Sequence, residues 1–459
     1  MFLTLVPLES ATASSLHEHI KSVFREADIP YKENMIGFAA DGANVMMRVN
    51  NSLSTLLKQD IPNLFVMKCI CHSFHLCASY ACKKLPKSVE DLARDIDNDF
   101  LSPKQSMAFK DFQEFADVKL HKILHPSQTR WLSLHSVVQR LLEQLPALKL
   151  FFAQTLMEDR LQASQFILQK LNDPLNKLYL EFLDYVLPFF NDLNKEMQAE
   201  DPKIYALSSR VSAVLATILE CYLKPGYLKS TALANVKIRD KANFFPLEDM
   251  YLGGRVTASL HSCHGIEKQD LTNFRLRCLD FYIESASQLL HKFNLTDPLL
   301  ESLKALDPQC ILKKTVPSIA PLASQFPNLV PENDLNTIDN EWRLLRNTEI
   351  NVQSDSSVWK FWMEVKKVKK GDDTPLFPKV GNFLTNLLFL PHSSASVERE
   401  FFFSQINLLK TKTRNSLNTD TLIGMLHAKR TFENSTSDNF KITSTHVNLM
   451  TERIYDQQE

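Results

Sequence analysis

The first 85 residues alternate short apolar runs with segments of helical periodicity, which limits the folds open to this chain. The predicted strands are Phe2–Leu8, Met35–Ala40 and Leu64–Ile70. The predicted helices are Thr12–Ala27, Asn44–Leu57 and Ser73–Lys84. Strands that alternate with helices over short connections usually lie side by side in parallel. The sequence therefore predicts a parallel α/β sheet in this part of the chain.

The middle of the chain has a different pattern, which is helical almost throughout. In Ala206–Lys224 the apolar residues recur with a period of 3.6, as on one face of a buried helix. Similar stripes run from Trp131 to Leu145 and from Phe274 to Tyr282. Pro317–Asn340 contains four prolines and is predicted to be a loop. A helical block of this length predicts an insertion domain rather than a continuing sheet.

The last part of the chain returns to mixed patterns. Phe383–Leu390 is a dense apolar run, and Pro391 with the serines after it marks a helix start. Ala395–Leu409 is predicted to be that helix, and Thr419 to begin the last one. The predicted units are residues 1–84, 85–375 and 376–459, of which the middle one is all-helical.

Composition excludes several classes of protein. Only 9 of the 459 residues are glycine, and no glycine-rich phosphate loop is present. The net charge is −1, so any contact with DNA has to come from local patches. The eight cysteines are not spaced as a disulfide framework, which favours a reducing, intracellular compartment. No apolar run reaches the length of about 18 residues that a membrane span requires.

Two acidic residues stand at positions where catalytic carboxylates are found. Asp41 ends the predicted strand Met35–Ala40, and ligands bind at the carboxyl ends of strands in α/β folds. An aspartate there is also a common cap of the following helix. Glu398 lies near the start of a predicted helix, where the helix dipole favours a carboxylate. With Arg399 beside it, Glu398 equally fits a solvated charged face.

Four motifs occur in an order that resembles one known family. They are "MIGFAADGANVM" at Met35–Met46, "CICH" at Cys69–His72, "TRW" at Thr129–Trp131 and "PHSSASVEREFFF" at Pro391–Phe403. Together they resemble motifs of the hAT-superfamily transposases. The resemblance implies an α/β plus all-α protein, in which a large helical insertion interrupts an incomplete RNase H-like sheet. It also implies a carboxyl-terminal dimerisation region.

The resemblance assigns Asp41 and Glu398 to a three-acid site that binds Mg²⁺ or Mn²⁺ for DNA strand cleavage. The first acid of that site is not found. The acidic residues upstream of Asp41 lie outside apolar strands, and the first two strands of the sheet are expected to be missing. We therefore expect the two acids to be vestigial, the protein to be inactive and no cofactor to be needed.

The resemblance also implies binding residues. Arg130 and Trp131, with Arg399, are expected to contact nucleic acid. Stacking of a base on an aromatic ring contributes about 1–3 kcal/mol. Trp131 fits a core position equally well, because an apolar stripe continues from it along the helix. Cys69 and His72 are candidate zinc ligands, although free cysteines are often simply buried.

The expected function is that of a degenerate transposase-like protein in the nucleus, which forms a homodimer and binds other nuclear proteins or, weakly, DNA. Leu422, Met425 and Leu426 are expected to supply the dimer contact, because little chain follows to cover them. The run Lys366–Lys370 fits either a nuclear import signal or a solvated helix end. The alternatives are an active metal-dependent transposase or nuclease, and a truncated transposon product without a function.

Overall fold

The computed structural model describes residues 4–124, 134–159, 162–198, 201–262, 265–350, 357–393, 406, 408–410, 417–432 and 444. This part of the chain is mostly helical and contains one small sheet of two parallel strands. The coarse expectation of a largely helical protein with a small parallel sheet is thereby confirmed.

The sheet pairs β1 (Gly37–Ala40) with β2 (Phe65–Lys68), and Gly37 lies opposite Phe65. The helices around it are α1 (Ala13–Glu26), α2 (Tyr31–Asn34), α3 (Asn44–Met47), α4 (Leu53–Asp60) and α5 (Ile70–Cys82). Helices α1 and α4 contribute to an apolar cluster that includes Leu53 and Leu57 and reaches Phe38 and Val66 of the sheet. The predicted parallel arrangement is therefore confirmed for these two strands.

Two local predictions in this region are wrong. Thr4–Leu8 does not form a strand in the described residues, because Leu5 packs against the helix Thr419–Phe432 instead. The predicted helix Asn44–Leu57 is two helices, since the backbone of Arg48 is extended after α3 and Asn51 has a φ of +53° before α4. Ser52 then begins α4 with a capping box, in which Ser52 and Thr55 bond each other's backbone N–H groups.

The helices between the sheet and residue 293 share one large core. They are α6 (Lys87–Asp99), α7 (Pro103–Phe115), α8 (Leu134–Asp159), α9 (Gln162–Asn172), α10 (Pro174–Met197), α11 (Leu207–Glu220), α12 (Pro225–Ser230), α13 (Gly254–Ser262) and α14 (Lys268–Lys292). Helix α5 packs against α10 and α14. Its small residues Cys77, Ala78 and Ala81 are fully buried, which allows these helices to approach closely. The stripes predicted around Leu207–Tyr222 and Phe274–Tyr282 are core positions.

A second core covers part of the sheet. Its helices are α15 (Pro298–Ser302), α16 (Pro308–Leu312), α17 (Ala320–Ala323), α18 (Leu335–Leu345), α19 (Val358–Lys367) and α20 (Pro378–Leu387). Trp342 and Trp362 are buried at its centre, and Phe65 of β2 belongs to the same cluster. The prediction of a loop over Pro317–Asn340 is wrong in part, because Phe326 and Val330 are buried and α18 begins within that range. The division of the chain at residues 84 and 375 stays a prediction.

The last described helix, α21, spans Thr419–Phe432 and begins where the sequence predicted. Within the described ranges, no helix is both long enough and apolar enough to cross a membrane.

Candidate functional site at the carboxyl end of the sheet

The carboxyl ends of β1 and β2 form one edge, where Asp41 and Cys69 follow the two strands. The N–H of Cys69 donates a hydrogen bond to the carbonyl of Ala40 at 2.7 Å, so the two chains stay paired as they leave the sheet. Asp41 and the start of α5 therefore lie side by side, as the parallel pairing requires.

The segment His392–Ser393 lies at the same edge, although it is far away in sequence. The N–H of Ile70 donates to the carbonyl of His392 at 3.3 Å. The Sγ atom of Cys71 and the Oγ atom of Ser393 are 3.2 Å apart. The structure thus brings Asp41 and the segment that leads toward Glu398 to one end of one sheet. Glu398 and Arg399 themselves lie outside the described residues.

Contact with the first strand is tight enough to require glycine. A Cβ atom added to Gly37 would lie 2.5 Å from Cδ of Pro391, which is closer than van der Waals contact permits. The ring of Pro391 therefore lies directly over the backbone of β1. Only a residue without a side chain allows this approach.

Asp41 is partly exposed and holds a turn. Its Oδ1 atom accepts a hydrogen bond from the N–H of Ala43 at 3.1 Å, which shapes the turn before α3. The N-cap residue of α3 is Ala43, so Asp41 shapes the turn but does not cap this helix as the local alternative expected. The same residue still stands at the edge where the sequence placed a catalytic acid.

His392 joins this edge to the helical core. Burial lowers the pKa of its imidazole, whereas hydrogen bonds to the backbone of Met197 and Leu390 act in the opposite direction. Burial is the larger effect, so the neutral ring is favoured. Because Met197 ends α10, the ring ties that helix to the segment beside the sheet.

The cysteine and histidine cluster at the start of α5 is mostly buried. Cys69 and Cys71 are buried, and the rings of His72 and His75 stack with centroids 6.4 Å apart. Burial raises the pKa of the Cys77 thiol to about 12, which keeps it neutral. Among the residues that the structure describes, no three His, Cys, Asp or Glu side chains are placed to hold one metal ion. The zinc assignment to Cys69 and His72 stays a prediction.

The proposed nucleic-acid residues Arg130 and Trp131 lie outside the described residues. The stripe that follows them is described, and Leu134, Val138 and Leu141 are buried in the first core. These three positions are therefore packing residues, while the role of Trp131 stays open between stacking and packing.

The proposed dimer contact is only partly available. Leu422 and Leu426 are 5% and 1% exposed, and they pack against Leu5 and Leu409 of the same chain. Met425 is partly buried. The expectation that this face is left uncovered is wrong for the two leucines, because the chain folds back over them from both ends.

The basic run Lys366–Lys370 lies at the end of α19. Lys367 forms an ion pair with Glu364 at 2.7 Å, and Lys369 forms one with Asp373 at 3.3 Å. The side chains of both lysines are more than half exposed. These contacts favour the solvated helix end, and an import function stays a prediction.

An exposed aromatic pair was missed at the sequence level. Trp359 and Phe389 pack edge to face with centroids 5.5 Å apart, and Phe389 is 66% exposed. The signal was present, since Trp359 lies off the buried stripe of Phe361, Trp362 and Val365 in α19. An amphipathic helix that carries a tryptophan outside its buried face points to a contact surface.

A search of known protein families finds no family model that matches this chain.

Proposed function

We propose that this chain is a degenerate, transposase-like protein that does not cleave or join DNA and acts by associating with a second copy of itself. In this proposal β1 and β2 are a remnant of an RNase H-like sheet. The supporting observation is that His392 and Ser393 lie at the carboxyl end of this sheet, where His392 contacts Ile70 and Ser393 contacts Cys71.

That position matters because a split sheet has to be completed by a distant segment. In a split RNase H-like domain, the chain leaves the sheet for the insertion and returns to the same edge. Here the described chain passes Asp41, builds two cores and then comes back within hydrogen-bonding distance of the start of α5. Nuclear localisation and weak contact with nucleic acid belong to the same proposal.

The absence of cleavage follows from the number of carboxylates that the sequence supplies. Two metal ions that stabilise an in-line phosphoryl transfer need several carboxylate ligands to offset their charge. Only Asp41 and Glu398 match the acids of the resembling family. One oxygen of Asp41 already accepts the N–H of Ala43 and holds the local turn.

We expect supercoiled plasmid to stay intact when it is incubated with the purified chain and Mg²⁺ or Mn²⁺. The readout is the amount of nicked and linear DNA on an agarose gel, with a commercial nicking nuclease as the positive control. Asp41→Ala should behave as the unchanged protein does. Metal-dependent nicking that Asp41→Ala abolishes, and that exposed Glu33→Ala leaves in place, would establish the active enzyme instead.

We expect the aromatic pair of Trp359 and Phe389 to form the contact between two copies of the chain. The leucines of α21 are covered by the chain itself, whereas this pair is exposed at 36% and 66%. Tryptophan is enriched among the residues that contribute most to protein–protein binding. Two aromatic rings already packed on each other also present a rigid surface, so little side-chain entropy is lost when a second copy docks.

We expect the full chain to form dimers at micromolar concentration, and the double variant Trp359→Ala with Phe389→Ala to weaken the dimer by about thirtyfold or more. Size-exclusion chromatography with light scattering measures this change. Leu344→Ala, at another exposed apolar position, is the matched control and should leave the dimer unchanged. A chain that is monomeric before any substitution would refute the association part of the proposal.

A further inference from the structure

An apolar cavity lies where the carboxyl end of α5 meets α6, α8 and α10. Its volume is about 420 Å³, within the range of about 300–1,000 Å³ that small-molecule sites occupy. Its walls include the buried aliphatic residues Leu85, Val89, Ala93, Val138, Leu141 and Leu180. The cavity thus offers a hydrocarbon surface and no hydrogen-bonding group along these walls.

Positive charge gathers at one side of this cavity. Lys83 and Lys87 line it, are exposed, and form no ion pair with any residue that the structure describes. Glu90 also lines the cavity, but its carboxylate is held by Arg94 at 2.5 Å. Lys84 does not line the cavity and pairs with Glu284 at 3.5 Å. The ammonium of Lys83 lies over the ring of Tyr80 at 4.9 Å from its centroid, but it has no carboxylate partner among the described residues, and neither has Lys87. Two ammonium groups without an anionic partner therefore remain beside an apolar space.

Two further residues of the cavity wall, Cys82 and Ala93, add neither charge nor bulk to the cavity. Burial raises the pKa of the Cys82 thiol, so it stays neutral and adds no charge to the cavity. Ala93 of α6 is 2% exposed and carries only a methyl group, which leaves open the space that a longer side chain would fill.

We propose that this cavity binds a single-chain amphiphile with an anionic head group. The hydrocarbon chain would lie along Val89, Val138 and Leu141, and the carboxylate or phosphate head would lie between Lys83 and Lys87. Each CH₂ group that leaves water raises affinity by about fourfold. Lysine is a compact cation that pairs with either kind of head group, so the charge rather than the head-group geometry sets the preference.

Titration of the full-length protein with cis-parinaric acid, a fluorescent long-chain carboxylic acid, tests this proposal. We expect saturable binding that dodecanoate and dodecyl phosphate displace, whereas dodecanol displaces it at a concentration about tenfold higher. The compound that displaces the probe at the lower concentration, dodecanoate or dodecyl phosphate, shows whether the preferred head group is a carboxylate or a phosphate. Lys83→Ala with Lys87→Ala should weaken binding of the acid by about tenfold, the sum of two exposed ion pairs.

Two sets of variants locate the ligand. Ala93→Phe and Val138→Phe should each fill the cavity and abolish binding, while circular dichroism shows that the helices remain. Lys84→Ala is the matched control for the head group and should bind as the unchanged protein does. Retained binding in whichever wall variant stays folded would overturn the cavity assignment. Equal displacement by dodecanol and dodecanoate would overturn the anionic head, and the lack of saturable binding would overturn the proposal as a whole.

Discussion

Replacement of Trp362 by alanine is expected to lower the free energy of unfolding by about 3–5 kcal/mol. The indole of Trp362 is fully buried in the second core, where it packs edge to face with Phe361. Its Nε1 atom donates a hydrogen bond to the carbonyl of Leu306 at 2.9 Å. The substitution leaves a large cavity and also removes the partner of a buried carbonyl, so both losses act in the same direction.

Urea unfolding followed by circular dichroism measures this change. Trp359→Ala, in the same helix, is the matched control, because Trp359 is 36% exposed and makes its ring contact with Phe389 at the surface. Loss of the Trp359 side chain should lower the free energy of unfolding by about 1 kcal/mol or less. The measurement is made at a concentration where the chain is monomeric, so that dimer formation does not contribute. Similar costs for the two variants would show that the second core is not packed around Trp362.

Gly37→Ala is expected to destabilise the protein by about 1–3 kcal/mol, the usual cost of overpacking. The added methyl group would meet the ring of Pro391 at 2.5 Å, and a proline ring cannot rotate away as a flexible side chain does. Either the strand or the segment beside it has to move. The loss therefore reports on the packing of Pro391 over the first residue of β1, in the segment whose next two residues reach the candidate site.

A matched control and a rescue make this test specific. Gly42 lies just beyond the same strand, and a Cβ atom there would meet nothing within 4 Å, so Gly42→Ala should have little effect. Pro391→Ala should recover part of the loss in the double variant with Gly37→Ala, with a coupling energy of about 1 kcal/mol. Independent, additive effects would show that Pro391 does not pack over Gly37 of β1.

The periodicity of apolar residues and the capping residues predicted the structure correctly wherever neighbours along the chain determine it. The pairing of β1 with β2 in parallel, the stripe of α11 and the start of α21 at Thr419 were all predicted from periodicity and capping residues. These features depend on side chains that follow one another at a period of 2 or 3.6. The position of Asp41 at the end of a strand was predicted for the same reason.

Errors arose where a distant contact decided the outcome. Thr4–Leu8 has the apolar pattern of a strand, but Leu5 covers α21 instead. Leu422 and Leu426 have the pattern of an exposed contact face, but residues from both ends of the chain cover them. The prolines of Pro317–Asn340 indicate a loop, yet the apolar residues between them are needed to close the second core. In each case burial of apolar surface outweighed the local signal.

The sequence alone determined that β1 and β2 are paired strands and which side of helices such as α11 is apolar, because those properties depend on the order of neighbouring residues. Only the tertiary structure decided which apolar faces meet, and therefore that Pro391 lies over Gly37 at the start of β1, while His392 contacts Ile70 just beyond the end of β2. The physical reason is that hydrophobic burial is non-directional. Any close-packed pairing of apolar surfaces is therefore stabilising, and the shape of the whole folded chain determines which two surfaces pack together.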